Sequence, residues 1–298
     1  MLPPKTDPDL PHDRRKGITL AILGMLAVST DSLFIRLADT EGFDVTFWIG
    51  AFTAIVLTVA LTVRDKQPPL GVVRRGGWML WFAGALQAGS TCTFVLAVTK
   101  TSVANVVVII AAAPLIAAVL STVLLKERSP RRVWLAAGVV IVGVIIVVSG
   151  SFGGGALLGD LLAVVAITLF GCALVLLRRF PDIDRLAMVL LGGVGMAAVS
   201  FIPASLFGHS STTWLALALM GLVFGPLARL LIAEAPKHLP AAEVGLFAPV
   251  ETVAASVWAW LFFAEAPAAR TVVGGLIIVA AVLWGTKQAT TAGPRTLE

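Results

Sequence analysis

The chain has 298 residues, of which 58% are hydrophobic and 13% charged, with a mean hydropathy of +0.96. Soluble globular proteins carry about 25% charged residues, so a water-soluble domain of this length is excluded. Recurring apolar runs that lack period-two alternation exclude a membrane barrel and require helices of about 20 apolar residues. The net charge of +5 fits basic loops beside a bilayer rather than a nucleic-acid surface, and no nucleic-acid partner is expected. Cys92 and Cys172 each lie inside an apolar run. They form neither a disulfide framework nor a metal cluster, and no cofactor is expected.

The first 16 residues are polar and end in Arg14, Arg15 and Lys16. The apolar run that follows reaches about Leu37, too far for a signal peptide, and Ser29-Thr30-Asp31-Ser32 does not suit a cleavage site. It is read as an uncleaved first span. Nine more spans follow, and together the ten cover 17–37, 44–63, 77–98, 102–125, 132–149, 157–178, 185–207, 212–234, 241–263 and 270–286. The tails, 1–16 and 287–298, have the composition of disordered ends.

Ionisable groups inside a span are costly and usually face the bundle interior. Asp31 falls about two-thirds along span one and suits either a polar contact near its outer end or a cavity group for a substrate ammonium. Arg36 reads as a snorkelling anchor. In span three, Gln87, Ser90, Thr91 and Phe94 share one helical face, which Gly84 and Trp81 extend. Helix–helix hydrogen bonding and a substrate site both explain such a stripe. Thr168 and Cys172, one turn apart in span six, are a candidate counterpart. Gly192, Gly193 and Gly195 in span seven, and Gly221, Gly225 and Pro226 in span eight, allow close packing or bending.

Arg229 lies in span eight, with Glu243 and Glu251 in span nine. With a rise of about 1.5 Å per residue, Arg229 and Glu251 fall within a turn or so of the same depth, so the spacing predicts an ion pair. Either the pair is structural, or Arg229 meets a substrate carboxylate and Glu251 is a protonation-linked gate. Trp48, Trp78, Trp81, Trp134, Trp214 and Trp284 fall near span ends and read as interfacial anchors. Trp258 and Trp260 fall deeper. The candidate cavity residues are therefore Asp31, Trp81, Gln87, Ser90, Thr91, Thr168, Cys172, Arg229, Glu251 and Trp258.

Connections on one side hold 18 Lys and Arg residues and those on the other hold 3 (Arg36, Lys100 and Arg270). Positive charge marks the cytoplasmic side, so both termini are expected there. The bias alternates consistently only if all ten spans exist.

The stretches Val103–Glu127 and Ala241–Glu265 resemble one another at an offset of 138 residues, aligning Ala104 with Ala242, Glu127 with Glu265 and Arg132 with Arg270. Each half, 17–149 and 157–286, holds five spans. Five is odd, so the second half crosses in the opposite sense. The expected fold is all-α and membrane-integral, with ten transmembrane helices as two inverted five-helix repeats, an arrangement that suits alternating access.

Ala113-Pro114-Leu115 and Leu124-Leu125-Lys126-Glu127 in the first half, with Glu251-Thr252-Val253 and Phe263-Ala264-Glu265 in the second, resemble the paired signatures of the drug/metabolite transporter superfamily, specifically its EamA-type ten-span members. Lys126 stands where that family usually has glycine, and Thr252 where it often has proline; Pro249 lies two residues before Glu251. Length and layout are similar to the YddG-type amino-acid exporters. The resemblance implies export of amino acids or related metabolites across a bacterial inner membrane, with protons as a candidate coupling ion. Drug, purine and nucleotide-sugar carriers of the same superfamily are the alternatives.

Other classes fit less well. No G-x-x-x-x-G-K-[ST] phosphate loop is present, so ATP is not the direct energy source. His12, His209 and His238 all fall in loops or tails, which leaves no intramembrane Ser–His dyad or zinc site, and an enzyme is not expected. No filter-like segment or ring of like charge marks a channel.

Overall fold

The computed structural model describes residues 11–66, 68–125, 131–149, 156–180, 182–235, 238, 247–264 and 266–286. Among these residues every regular element is helical. The first half contains α1 (Pro11–Ala38), α2 (Gly42–Asp65), a short α3 (Leu70–Arg75), α4 (Gly77–Lys100), α5 (Val103–Ile110), α6 (Ala113–Leu125) and α7 (Arg131–Ser149). The second half contains α8 (Leu157–Arg179), α9 (Arg185–Ser200), α10 (Ser211–Ala218), a π-helical turn (Leu219–Phe224), α11 (Gly225–Glu234), α12 (Ala248–Phe263) and α13 (Ala269–Thr286). Among the described residues, five stretches are long and apolar enough to cross a bilayer in one piece: Arg15–Ala38, Gly42–Asp65, Gly77–Lys100, Leu157–Leu177 and Ser211–Ile232.

The expected spans correspond to these elements, with instructive differences. Span four is two helices, because Pro114 has no N–H to give Ile110 and the chain turns at Ala111 and Ala112 before α6 starts. Span seven ends at Ser200 rather than 207, ahead of Pro203. Span eight contains the π turn. Of span nine, α12 starts at Ala248, and 241–246, including Glu243, lie outside the described residues.

With the side on which α1 begins as the near side, successive crossings end alternately on the far and the near side. Bonds between elements collect at matching ends. On the far side Arg36 at the end of α1 donates to Thr101 O after α4, and Arg270 at the start of α13 donates to Ser149 O at the end of α7. Thr213 in α10 donates to Ala38 O. On the near side Arg64 at the end of α2 pairs at 2.6 Å with Asp184, the N-cap of α9.

The packing survives exchange of the two halves. α2 lies on α9 and α7 on α13, each a helix against its own counterpart. α4 packs on α8 as α10 and α11 pack on α1, and α6 packs on α8 as α12 packs on α1. Both self-paired crossings are closed by glycine. A Cβ on Gly50 would meet Gly193 O at 2.6 Å and one on Gly193 would meet Gly50 O at 2.8 Å; Gly143 and Gly274 face one another in the same reciprocal way. Such small-residue contacts let helix backbones approach in a bilayer, where apolar burial gives no drive for association.

Outward faces are apolar. Ile55, Val59 and Val63, four residues apart, form a stripe along α2, each more than half exposed, as suits a lipid-facing surface. Trp78, Trp81, Trp134 and Trp284 are exposed, in keeping with anchoring rings, and so is Trp260. Trp48 and Trp214 instead pack edge-on at 4.6 Å.

Candidate functional site

α1 meets α11 in antiparallel fashion through small or complementary pairs. Gly24 leaves room for Leu231 and Ile232, and the Phe34 and Phe224 rings lie 5.2 Å apart. Between these contacts Asp31 is only 3% exposed. Its Oδ2 faces Arg229 Nη2 at 3.6 Å, and Arg229 Nη1 donates to Gly225 O at 3.0 Å. Away from water, opposite charges at this distance attract strongly, and removing one leaves the other buried and uncompensated.

Arg229 therefore pairs with Asp31, not with Glu251 as depth alone suggested. The reason is topological. α1 packs on both α11 and α12, so the aspartate on the first helix reaches the guanidinium that span eight offers. Glu251 belongs to α12, the other helix of the second half that packs on α1. It lies in the first turn of α12, where Pro249 needs no helical donor and the helix N-terminus favours a carboxylate. Along α12, Val253, Val257, Trp260 and Leu261 are exposed. Glu251, Ala255 and Trp258 form the opposite face at helical spacing, toward α1. Trp258 Nε1 donates to Ser29 Oγ at 3.1 Å.

Span eight is shaped by the Gly-Pro pair. In the π turn Gly225 N–H donates to Met220 O, so the next acceptor in that register, Gly221 O, calls on residue 226. Pro226 has no N–H. Thr53 of α2 supplies the missing donor, its hydroxyl 3.3 Å from Gly221 O. Gly225 is equally constrained, because a Cβ there would meet Met220 O at 2.7 Å and Arg229 Nη1 at 3.0 Å. π turns inside helices often mark functional sites, and this one ends at Phe224, five residues before Arg229.

Of the residues read from the sequence, the structure pairs Asp31 with Arg229, and it sets Glu251 and Trp258 on the face of α12 toward the same helix, α1. It places the others elsewhere. Ser90 donates to Ala166 O of α8 at 2.9 Å, Gln87 donates to Thr91 Oγ1 within α4 and packs against Gly192 of α9, and Thr91 is buried. Their polar groups serve α4 and its contacts with α8 and α9. Trp81 is 56% exposed on the outer surface. Thr168 is exposed with its hydroxyl on Val164 O of its own helix, and Cys172 is a half-buried free thiol of α8.

Two features escaped the sequence reading. Ser29 was noticed only as part of an unsuitable cleavage site, yet it is the partner of Trp258. A far-side network also joins the halves: fully buried Asp160 accepts from Thr101 Oγ1 at 2.8 Å and from Asn105 Nδ2 at 3.3 Å, and Thr271 donates to Asn105 Oδ1 at 2.6 Å. Each of these residues is ordinary at a span end, and only their convergence from the end of α4 and from α5, α8 and α13 is informative. On the near side a cleft of about 470 Å³ opens beside Leu20, Arg64, Asp184, Leu231 and Glu234.

Ten helical crossings in two exchangeable halves, with charges buried where the halves meet, define a multi-pass integral membrane protein of transporter architecture. The chain belongs to the EamA-like transporter family of the drug/metabolite transporter superfamily: the family model matches twice, over residues 15–149 and 157–285, once for each half. The crystal structure of another protein is similar with a TM-score of 0.67, covering 93% of this chain and 99% of that one at 19% identity. That likeness shows the fold. No curated protein matches the chain.

Proposed function

We propose that this transporter is a secondary carrier that exports amino acids or related small metabolites across a bacterial inner membrane by alternating access. The observation that carries this reading is the buried pair of Asp31 from the first half with Arg229 from the second, beside α12, which carries Glu251 and packs on the same α1. A site shared by two inverted repeats changes shape when one repeat rocks against the other. The surplus of Lys and Arg on the near side puts that side, and both tails (1–16 and 287–298), in the cytoplasm. The halves 17–149 and 157–286 are then the two moving units. The near-side cleft is the route by which cytoplasmic solute approaches α1 and α11, and the far-side network around Asp160 closes the opposite end.

A lone deep arginine suits a small metabolite better than a nucleotide sugar, whose two phosphates call for several cations. With Asp31 on Arg229 and a further acid, Glu251, on a helix packed against α1, protons are the natural coupling ion. The test is counterflow of labelled amino acids into proteoliposomes, with and without a pH gradient, for the wild type and Glu251→Gln. Stimulation by the gradient in the wild type and its loss in the variant are expected. Equal gradient response in both would remove Glu251 from the coupling.

A further inference from the structure

We propose that the near-side ledge formed by the end of α2, α3 and the start of α4 binds the headgroups of anionic phospholipids. This surface belongs to elements other than those of the Asp31–Arg229 pair, so its ligand is independent of the cargo.

Lys66 ends α2 in a left-handed conformation, Pro68 and Pro69 lead into α3, and Gly77, with φ at +62°, turns the chain into α4. Val73 seats α3 by its inner side, buried in one core with Leu57 and Leu61 of α2 and Leu80 of α4. The opposite side faces out. Leu70 and Arg74, one turn apart, are both exposed, and so is Arg75. Leu70, Trp78 and Trp81 are each more than half exposed, and the Trp78 and Phe82 rings lie 6.4 Å apart. Leucine and tryptophan exposed beside the start of a span belong at the headgroup level of a bilayer, which puts the neighbouring cations among the phosphates.

The charge on this ledge is unbalanced. Among the described residues the side chains of Lys66 and Arg74 have no hydrogen bond or ion pair, and Arg75 donates from Nε to Gly71 O at 3.1 Å. Asp65 is taken by Arg64 at 2.8 Å, and so is Asp184, the acid that α9 brings to this end of α2. The sequence holds no further acid until Glu127. Lys66, Arg74 and Arg75 therefore face outward with both neighbouring acids already engaged. A lipid phosphate offers them charged oxygen acceptors. A choline headgroup brings its own cation, which the ledge repels, so a headgroup with net negative charge is favoured.

Native mass spectrometry of the full chain in detergent, titrated with phosphatidylglycerol or phosphatidylcholine of the same acyl chains, measures this binding. Phosphatidylglycerol is expected to bind about tenfold more tightly. This comparison needs no variant, so it stands even where a substitution disturbs folding. Each of Lys66→Gln, Arg74→Gln and Arg75→Gln is expected to weaken phosphatidylglycerol about fivefold, the scale of one cation at a membrane surface. The charge-conserving Arg74→Lys/Arg75→Lys variant is expected to stay within about twofold of the wild type. Arg131→Gln, which removes an exposed cation at the start of α7, is the control and is expected to leave binding unchanged. Four results overturn the proposal: equal binding of the two lipids by the wild type, unchanged affinity in the three Gln variants of the ledge, an equal loss in Arg131→Gln, or displacement of phosphatidylglycerol by glycerol 1-phosphate at matching concentration. The last would make the ledge a site for a free phosphate ester rather than for a lipid.

Discussion

At the scale of single residues, the cost of burying charge selects the important contacts. Asp31 and Arg229 are tolerable inside a bilayer because each neutralises the other. Asp31→Asn or Arg229→Gln alone leaves the partner uncompensated. Each is expected to lower stability in detergent by about 3 kcal/mol. The double variant is expected to lose clearly less than the sum, and additive losses in thermal unfolding would mean that the two groups do not interact. Residue types and rough depths were legible in the sequence, since an aspartate, an arginine and a glutamate in apolar runs stand out. Their pairing was not legible. Depth along a span says nothing of rotation about it or of which helix lies between two others, and both depend on packing across the halves. The span-three stripe shows the same limit: Gln87, Ser90 and Thr91 share a face, but only the structure shows α8 and α9 against that side of α4.

At the scale of elements, proline and glycine set where helices break. Pro114 divides span four, and the Gly225-Pro226 pair gives span eight its π turn. Gly225 and Pro226 were legible in the sequence as a place to bend and Pro114 was not, and neither was the compensating donor from Thr53, because it lies 168 residues from Gly221. Thr53→Val is expected to cost about 1 kcal/mol by leaving Gly221 O unsatisfied. In a Pro226→Ala background, where a backbone N–H is restored, the same substitution is expected to cost less. Equal costs in the two backgrounds would show that the hydroxyl does not stand in for the missing donor. Ala264 makes a simpler case. It caps α12 with φ at +50°, a left-handed conformation that costs a residue with a Cβ about 1 kcal/mol. Ala264→Gly is expected to raise the unfolding midpoint, and a lowered midpoint would contradict that assignment.

At the scale of the whole molecule, two devices hold the halves in register. The reciprocal glycine crossings bring α2 against α9 and α7 against α13. Aspartates tie both ends of the α2–α9 pair: Asp184 takes Arg64 on the near side, and Asp44 accepts the Ser205 N–H at 2.7 Å on the far side. Asp44 and Asp184 each stand at the start of their helix, so the ties are related by the same exchange of halves that relates the helices. This architecture was legible in the sequence, because composition demands spans, charge alternation counts them and an odd number per half inverts the second. Its fine structure was not, since ties such as Asp44–Ser205 join residues far apart in the chain. The central claim is that this symmetric body carries solute rather than conducting it. The most direct measurement is the concentration dependence of labelled amino-acid flux through the wild-type protein in liposomes. We expect saturable flux that is accelerated by unlabelled solute on the opposite side. Flux that rises linearly with concentration, shows no trans-acceleration and is accompanied by a steady conductance would contradict it.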